Sequence, residues 1–160
     1  MGEMKGGDFM VTGLEKNIKI VKDLFAALSQ GDIQTVMNYL DSSINWQSPA
    51  TKTMLKEISW SKERRGCDQV KAFFNELTDK IRMDDMSYSS FVAKDDRVII
   101  EGATRGSVIS TGCFFRSDWV MAFTLRNGKI IRFRHYYDSA DVAAAFHATG
   151  DVCKASPKAA

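Results

Sequence analysis

The chain has 160 residues, 44% of them hydrophobic and 26% charged, with a net charge of +2. That balance fits one globular domain with a core of its own. The charge is too small and too evenly spread to argue for a nucleic-acid or membrane partner, and no apolar stretch is long enough to span a bilayer.

Cys67, Cys113 and Cys153 are an odd set with no CxxC spacing. They read as free thiols in a reducing cytosol, without a disulfide framework or a cysteine metal site. The N-terminus lacks the apolar core of a signal peptide, so a cytoplasmic location is expected. Lys62, Arg64 and Arg65, interrupted by Glu63, read as a solvated loop.

Residues 1–11 form a glycine-containing arm without periodicity. The single domain is placed at 12–149 and a small, polar tail at 150–160. Leu14, Ile18, Val21, Leu24, Phe25 and Leu28 recur at helical spacing after a possible N-cap, Thr12. Gly31 is placed to end this helix in the left-handed conformation, and Asp32 to cap a short second one carrying Ile33, Val36, Met37 and Leu40.

Ile44 to Trp46 reads as a short strand stopped by Pro49. Residues 50–65 have no clean period and read as a loop, with Trp60 a lid over either the core or a pocket. Gly66 to Arg82 reads as a third helix with Asp68 as N-cap and Val70, Phe73, Phe74, Leu77 and Ile81 on one face.

The rest is strand-like. Met86–Lys94 and Arg97–Ser110 flank the turn Asp95-Asp96, and Cys113–Arg126 and Lys129–Tyr137 flank the stronger turn Asn127-Gly128. A short helix from Ala140 to His147 follows a cap at Asp138 or Ser139. Helices gathered before a meander imply an α+β domain: a curved, mostly antiparallel sheet with helices on its concave face. The hollow between them is a natural small-ligand site.

Several stretches together carry a family pattern. They are the helix ending in Gly31-Asp32, then Ile44-Asn45-Trp46-Gln47-Ser48-Pro49, Gly66 through Phe74, Val98 to Gly102, Asn127 to Ile130, and His135-Tyr136-Tyr137-Asp138. In their order and spacing the chain resembles the SnoaL-like branch of the nuclear transport factor 2-like superfamily. That superfamily includes polyketide cyclases, ketosteroid isomerases and limonene-epoxide hydrolases. The resemblance implies a cone-shaped α+β fold with a deep apolar pocket, often dimeric through the sheet.

It does not fix a reaction, because the catalytic residues differ between branches. The isomerase base falls on Ser48, which cannot abstract a proton near neutrality. The epoxide hydrolases are matched at Glu101, but their Arg-x-Asp pair falls on Gly102 and Thr104, and their second aspartate near His135. An epoxide hydrolase-like enzyme is therefore an alternative resting on an incomplete set.

A two-residue loop at Asn127-Gly128 would set Val120 opposite His135 and Asp118 opposite Tyr137. One face then holds Asp118, Val120, Ala122 and Thr124 beside Ile131, Phe133, His135 and Tyr137, as a pocket wall. The other holds Trp119, Met121, Phe123 and Leu125 beside Ile130, Arg132, Arg134 and Tyr136, suited to a homodimer contact. A single bulge would exchange these faces for part of a strand.

On this register His135 is the expected acid and base, Asp118 its orienting carboxylate and Tyr137 a hydrogen-bond donor to a carbonyl. Trp46, Ser48, Trp60, Phe74, Thr104 and Phe133 are expected to line the pocket. Glu101 and Asp138 are second-tier acids, Asp138 being more simply a helix cap. His147 has no second metal ligand at helical spacing, and no metal or cofactor is expected.

The function expected is a cofactor-independent cyclase, isomerase or dehydratase acting on a hydrophobic carbonyl compound. The alternative is a non-catalytic module of the same fold that binds an apolar ligand or dimerises.

Overall fold

The computed structural model describes residues 12–149 and Cys153. The expected arm at 1–11 and most of the expected tail at 150–160 lie outside the described residues. The first helix, α1, spans Gly13–Ser29 and opens on a capping box, in which Thr12 and Glu15 satisfy each other's backbone N–H groups. Gly31 follows its end at φ 68°, where a side chain would be strained. Asp32 then caps α2, Ile33–Asn38, by accepting from the Thr35 N–H at 3.0 Å.

Strand β1 runs from Leu40 to Gln47, longer than its apolar core suggests. The loop after it holds one helical turn, Ser59–Ser61, and a two-residue strand, β2, Arg64–Arg65. Helix α3 spans Cys67–Lys80. Its N-cap is Gly66, not Asp68, which sits in the first turn. Ile81 already belongs to β3, Ile81–Tyr88, so the third helix ends earlier than its apolar pattern predicts. Strands β4 (Val92–Lys94), β5 (Arg97–Val108), β6 (Phe114–Arg126) and β7 (Lys129–Tyr137) complete the sheet. Helix α4, Ser139–Ala145, ends the regular structure.

The sheet order is β2-β1-β7-β6-β5-β3, with β4 also on β5. All pairings are antiparallel except β1 with β7, which is parallel. That pair brings the early strand beside the last one, setting Trp46 against Phe133 and Gln47 against Arg134. Inward-facing Ile44, Trp46, Val98, Ile100, Phe123, Ile130 and Phe133 pack against Val21, Leu24, Phe25, Val70 and Phe73 of the helices. Burial of these side chains is what holds the helices to one face of the sheet.

The final hairpin has the expected turn but not the expected faces. Asn127 and Gly128 both have positive φ, 52° and 75°, and Arg126 pairs with Lys129. Leu125 still pairs with Ile130, but Thr124 pairs with Arg132. Ile131 is an extra residue, a bulge that shifts every later pair by one. Met121 therefore faces His135, and Trp119 faces Tyr137. Trp119, Met121, Phe123 and Leu125, assigned from sequence to a dimer surface, are buried in the core. Asp118 is exposed on the opposite face.

The cysteines also correct the sequence reading. Cys113 and Cys153 are 40 residues apart in sequence but form a disulfide, with Cα atoms 4.4 Å apart. Cys113 precedes β6 and Cys153 follows α4, and their distance in sequence carries no information about that meeting. Cys67 is free.

Candidate functional site

Two strand ends build the site. On β1 the inward residues alternate, so Ile44, Trp46 and, just past the strand, Ser48 all face the helices. On β7 the same alternation after the bulge turns Phe133, His135 and Tyr137 inward. Parallel pairing then sets the two rows side by side. Ser48 Oγ and His135 Nδ1 meet at 2.9 Å. The Ala50 N–H donates to the His135 carbonyl at 2.7 Å, holding the loop to the strand.

His135 and Tyr137 are each half-buried as whole residues, so solvent reaches part of each. His135 Nε2 is not reached, and it has no hydrogen-bond partner among the described residues. Loss of hydration at the ring nitrogens pushes the imidazole pKa from 6.5 down to about 3. The resting ring is thus neutral at pH 7, with Nδ1 engaged by Ser48 and Nε2 left open. Burial raises the Tyr137 hydroxyl's pKa, and a hydrogen bond from Trp60 offsets part of the rise. The Trp60 indole N–H makes that bond to Tyr137 Oη at 3.2 Å. The ring centroids of His135 and Tyr137 lie 4.8 Å apart, so a neutral phenol and an imidazole with one open nitrogen are neighbours on the same face of β7.

Aromatic groups enclose them. Trp119 stands edge-on to His135 at 5.8 Å, and Phe133 lies 6.2 Å away. Trp46 stacks on Phe133 at 3.9 Å and meets Phe73 and Phe74 at 5.6 Å each. The Trp119 indole N–H donates to Thr104 Oγ1 at 2.9 Å. Thr104 thereby braces a wall instead of offering a free hydroxyl.

The loop carrying Trp60 is pinned from several sides. Glu76 on α3 accepts from Ser59 Oγ at 2.6 Å and from Arg64 at 2.5 Å. Burial alone would raise the Glu76 pKa, but these bonds and the charges of Arg64 and Lys62 outweigh it and leave it low. Glu57 on the loop meets exposed His147 just past α4 at 2.7 Å. The segment read from sequence as a loop is thus a tied cover in which Trp60 is 1% exposed.

The remaining candidates fall elsewhere. Asp118 is on the outer face and cannot orient His135; Ser48 takes that place. Asp118 and Asp138 border a surface hollow of about 310 Å³ with Phe114, Arg116 and Asp141. Asp138 caps α4, accepting from the Ala140 N–H at 3.2 Å. Glu101 is exposed and points outward, while its neighbours Ile100 and Thr104 point in. Among the described residues no cluster of His, Cys, Asp and Glu could hold a metal ion. No described helix is long and apolar enough to cross a membrane.

Sequence reasoning missed two participants. The Ser48–His135 bond needs the parallel pairing, which no local pattern announces. Trp119 could have been found: Trp119, Met121, Phe123 and Leu125 are the bulkier alternating set on β6, and bulk favours the buried face.

Comparison with known proteins agrees with this architecture. Residues 21–133 match the model of the SnoaL-like domain family. An NTF2-like protein from Burkholderia xenovorans is 30% identical, over 83% of this chain and 97% of its own, with a TM-score of 0.69. A protein assigned as an isomerase from Bacillus subtilis is 20% identical, over 84% of this chain and 95% of its own, with a TM-score of 0.69. One assigned as a polyketide cyclase from Xanthomonas campestris is 18% identical, over 84% and 98% respectively, with a TM-score of 0.68. Among curated proteins no relative matches by sequence. The family match over 21–133 and the shared fold place this chain in the SnoaL-like family of the NTF2-like superfamily.

Proposed function

We propose that this protein binds a hydrophobic carbonyl compound between sheet and helices and catalyses cyclisation, isomerisation or dehydration by proton transfer. One observation carries the reading: His135 Nε2 is buried without a partner, in a side chain packed beside the Tyr137 ring and among other aromatic groups. Buried polar atoms are ordinarily paired, so an unpaired one is a group that a ligand would satisfy.

The chemistry follows from the pair. The Tyr137 O–H donates to the substrate carbonyl. His135 Nε2 takes a proton from the adjacent carbon, with Nδ1–H donating to Ser48. Electrons from the broken C–H bond move into the carbonyl, giving an enolate held by Tyr137. The proton returns at another carbon, or the enolate carbon attacks a second carbonyl whose oxygen then takes the proton from His135, or a β-hydroxyl leaves with the proton as water. The low basicity of His135 belongs to a lone buried cation. In the reaction the imidazolium forms beside an enolate, and their attraction in a low-dielectric site offsets the lost hydration.

A second reading is a non-catalytic ligand-binding module, favoured by that same weak basicity. Proton exchange separates the two. The protein is incubated in heavy water with α-tetralone, a fused two-ring ketone, and loss of the signal of the hydrogens beside the carbonyl is followed by NMR. Protein-dependent exchange that falls at least tenfold in His135→Gln supports the enzyme. Binding of the ketone without exchange would leave the module reading.

A further inference from the structure

The site has a second unpartnered polar atom, on the neighbouring strand β1. Of the three indoles, Trp60 donates to Tyr137 and Trp119 to Thr104. The Trp46 N–H is buried and has no partner among the described residues, in a side chain only 3% exposed. Trp46 stands two residues before Ser48 on the same inward row, and its partner on β7 is Phe133, two residues before His135. Phe133 lies between the two open groups. Its ring is 3.9 Å from Trp46 and 6.2 Å from His135. Phenylalanine would fill much of the same space without stranding a donor, so the indole nitrogen is the feature needing an explanation.

We propose that Trp46 is a specificity residue whose N–H binds a second oxygen of the ligand. The inference rests on the carbonyl-binding reading above and refines its substrate class. The first oxygen is held by the Tyr137 hydroxyl. The second lies across the face of Phe133, at Trp46. The ligand is then a flat compound with two oxygen functions at opposite ends of an apolar body, and a mono-ketone is a poor substitute for it. Stacked Phe133 and the rings of Phe73 and Phe74 hold the indole plane, so its donor is fixed in direction before a ligand arrives.

The test uses two probes, α-tetralone and its analogue bearing a phenolic hydroxyl on the far ring. Both are titrated into protein carrying isotope-labelled tryptophan, whose indole N–H signals are assigned from single Trp→Phe variants. The hydroxylated probe should bind about tenfold tighter than α-tetralone, the worth of one neutral hydrogen bond. Only that probe should move the Trp46 indole proton downfield. In Trp46→Phe the tenfold difference between the two probes should vanish. Equal affinities for the two probes, or a Trp46 signal that neither moves, would overturn the assignment while leaving the carbonyl site intact. Failure of both probes to bind would remove the carbonyl site and this inference together. The indole signals come from the unmodified protein, so the test survives a Trp46→Phe variant that folds poorly.

Discussion

Ser48 and His135 are 87 residues apart in sequence, yet Ser48 Oγ lies 2.9 Å from His135 Nδ1. Everything at the site depends on this contact, because it decides which imidazole nitrogen is left for a ligand. Ser48→Ala should therefore do two things. It strands a buried ring nitrogen, which costs about 1–3 kcal/mol of folding stability in urea titration. It also frees the ring to rotate, so α-tetralone exchange should fall by about tenfold or more. Ser48→Thr keeps the oxygen and should recover much of the rate. A fully active Ser48→Ala would show that the contact does not orient the base.

The buried imidazole makes stability depend on pH in a definite direction. His135 has its ordinary pKa of 6.5 when unfolded and about 3 when folded. Between these values the unfolded chain binds a proton that the folded chain refuses. Stability is therefore lost as pH falls from 6.5 toward 3, at no more than about 1.4 kcal/mol per pH unit from this group. His135 is half-buried as a residue, not fully enclosed, which keeps the slope below that limit. Urea titrations at pH 7, 6 and 5 should show a shallower decline for His135→Gln than for the natural protein. Parallel declines would mean that the imidazole stays solvated.

The fold was largely legible, because helices and turns announce themselves locally. Thr12 and Asp32 cap helices where their side chains predict, and Asn127-Gly128 makes the hairpin turn. The site was legible only by residue. His135, Tyr137, Trp46, Ser48 and Trp60 do gather, but Asp118 and Glu101 do not. One extra residue, Ile131, exchanged the faces of the hairpin, and no side-chain pattern marks a bulge of that kind. The pairing of Cys113 with Cys153 was invisible for a related reason, since it depends on where the chain returns after α4.

That exchange of faces is itself testable. Asp118 is exposed and on the far side of the sheet from His135, so Asp118→Asn should leave both the exchange rate and its pH profile unchanged. In the proposed mechanism Tyr137→Phe removes the donor to the carbonyl and should slow exchange about tenfold to a hundredfold, with a stability cost of about 1–3 kcal/mol because the buried Trp60 N–H loses its acceptor. An Asp118→Asn variant that shifts the pH profile would restore the flat register without a bulge.

The disulfide predicts a chemical pattern. In protein purified without reductant and then denatured, an alkylating reagent should label Cys67 alone, and label all three cysteines only after reduction. Removing the link with Cys113→Ser/Cys153→Ser should cost about 2–4 kcal/mol, the typical worth of such a cross-link, read as a lower urea midpoint. Three labelled cysteines before reduction would show free thiols instead.

Gly102 gives the last prediction. It pairs across the sheet with Trp119, whose indole lies over the glycine and reaches Thr104. A Cβ at Gly102 would collide with the Trp119 ring and with the backbone oxygen of Ser87 on β3. The oxygen belongs to the sheet and yields only with its strand, so the β3 backbone and the indole must both shift. Gly102→Ala should thus cost about 1–3 kcal/mol and tilt Trp119 off Thr104. Trp119 is also the edge-on neighbour of His135, so the wall of the site moves with it. Near-ultraviolet circular dichroism should register the tilt, and the exchange rate should fall even where the variant is fully folded. Gly128→Ala is the control. There the cost, about 1–2 kcal/mol, comes from a left-handed backbone at φ 75° with open space around it. It should lower stability without altering the tryptophan signal. Matching spectra for the two variants would mean that Gly102 serves the strand alone and not the placement of Trp119.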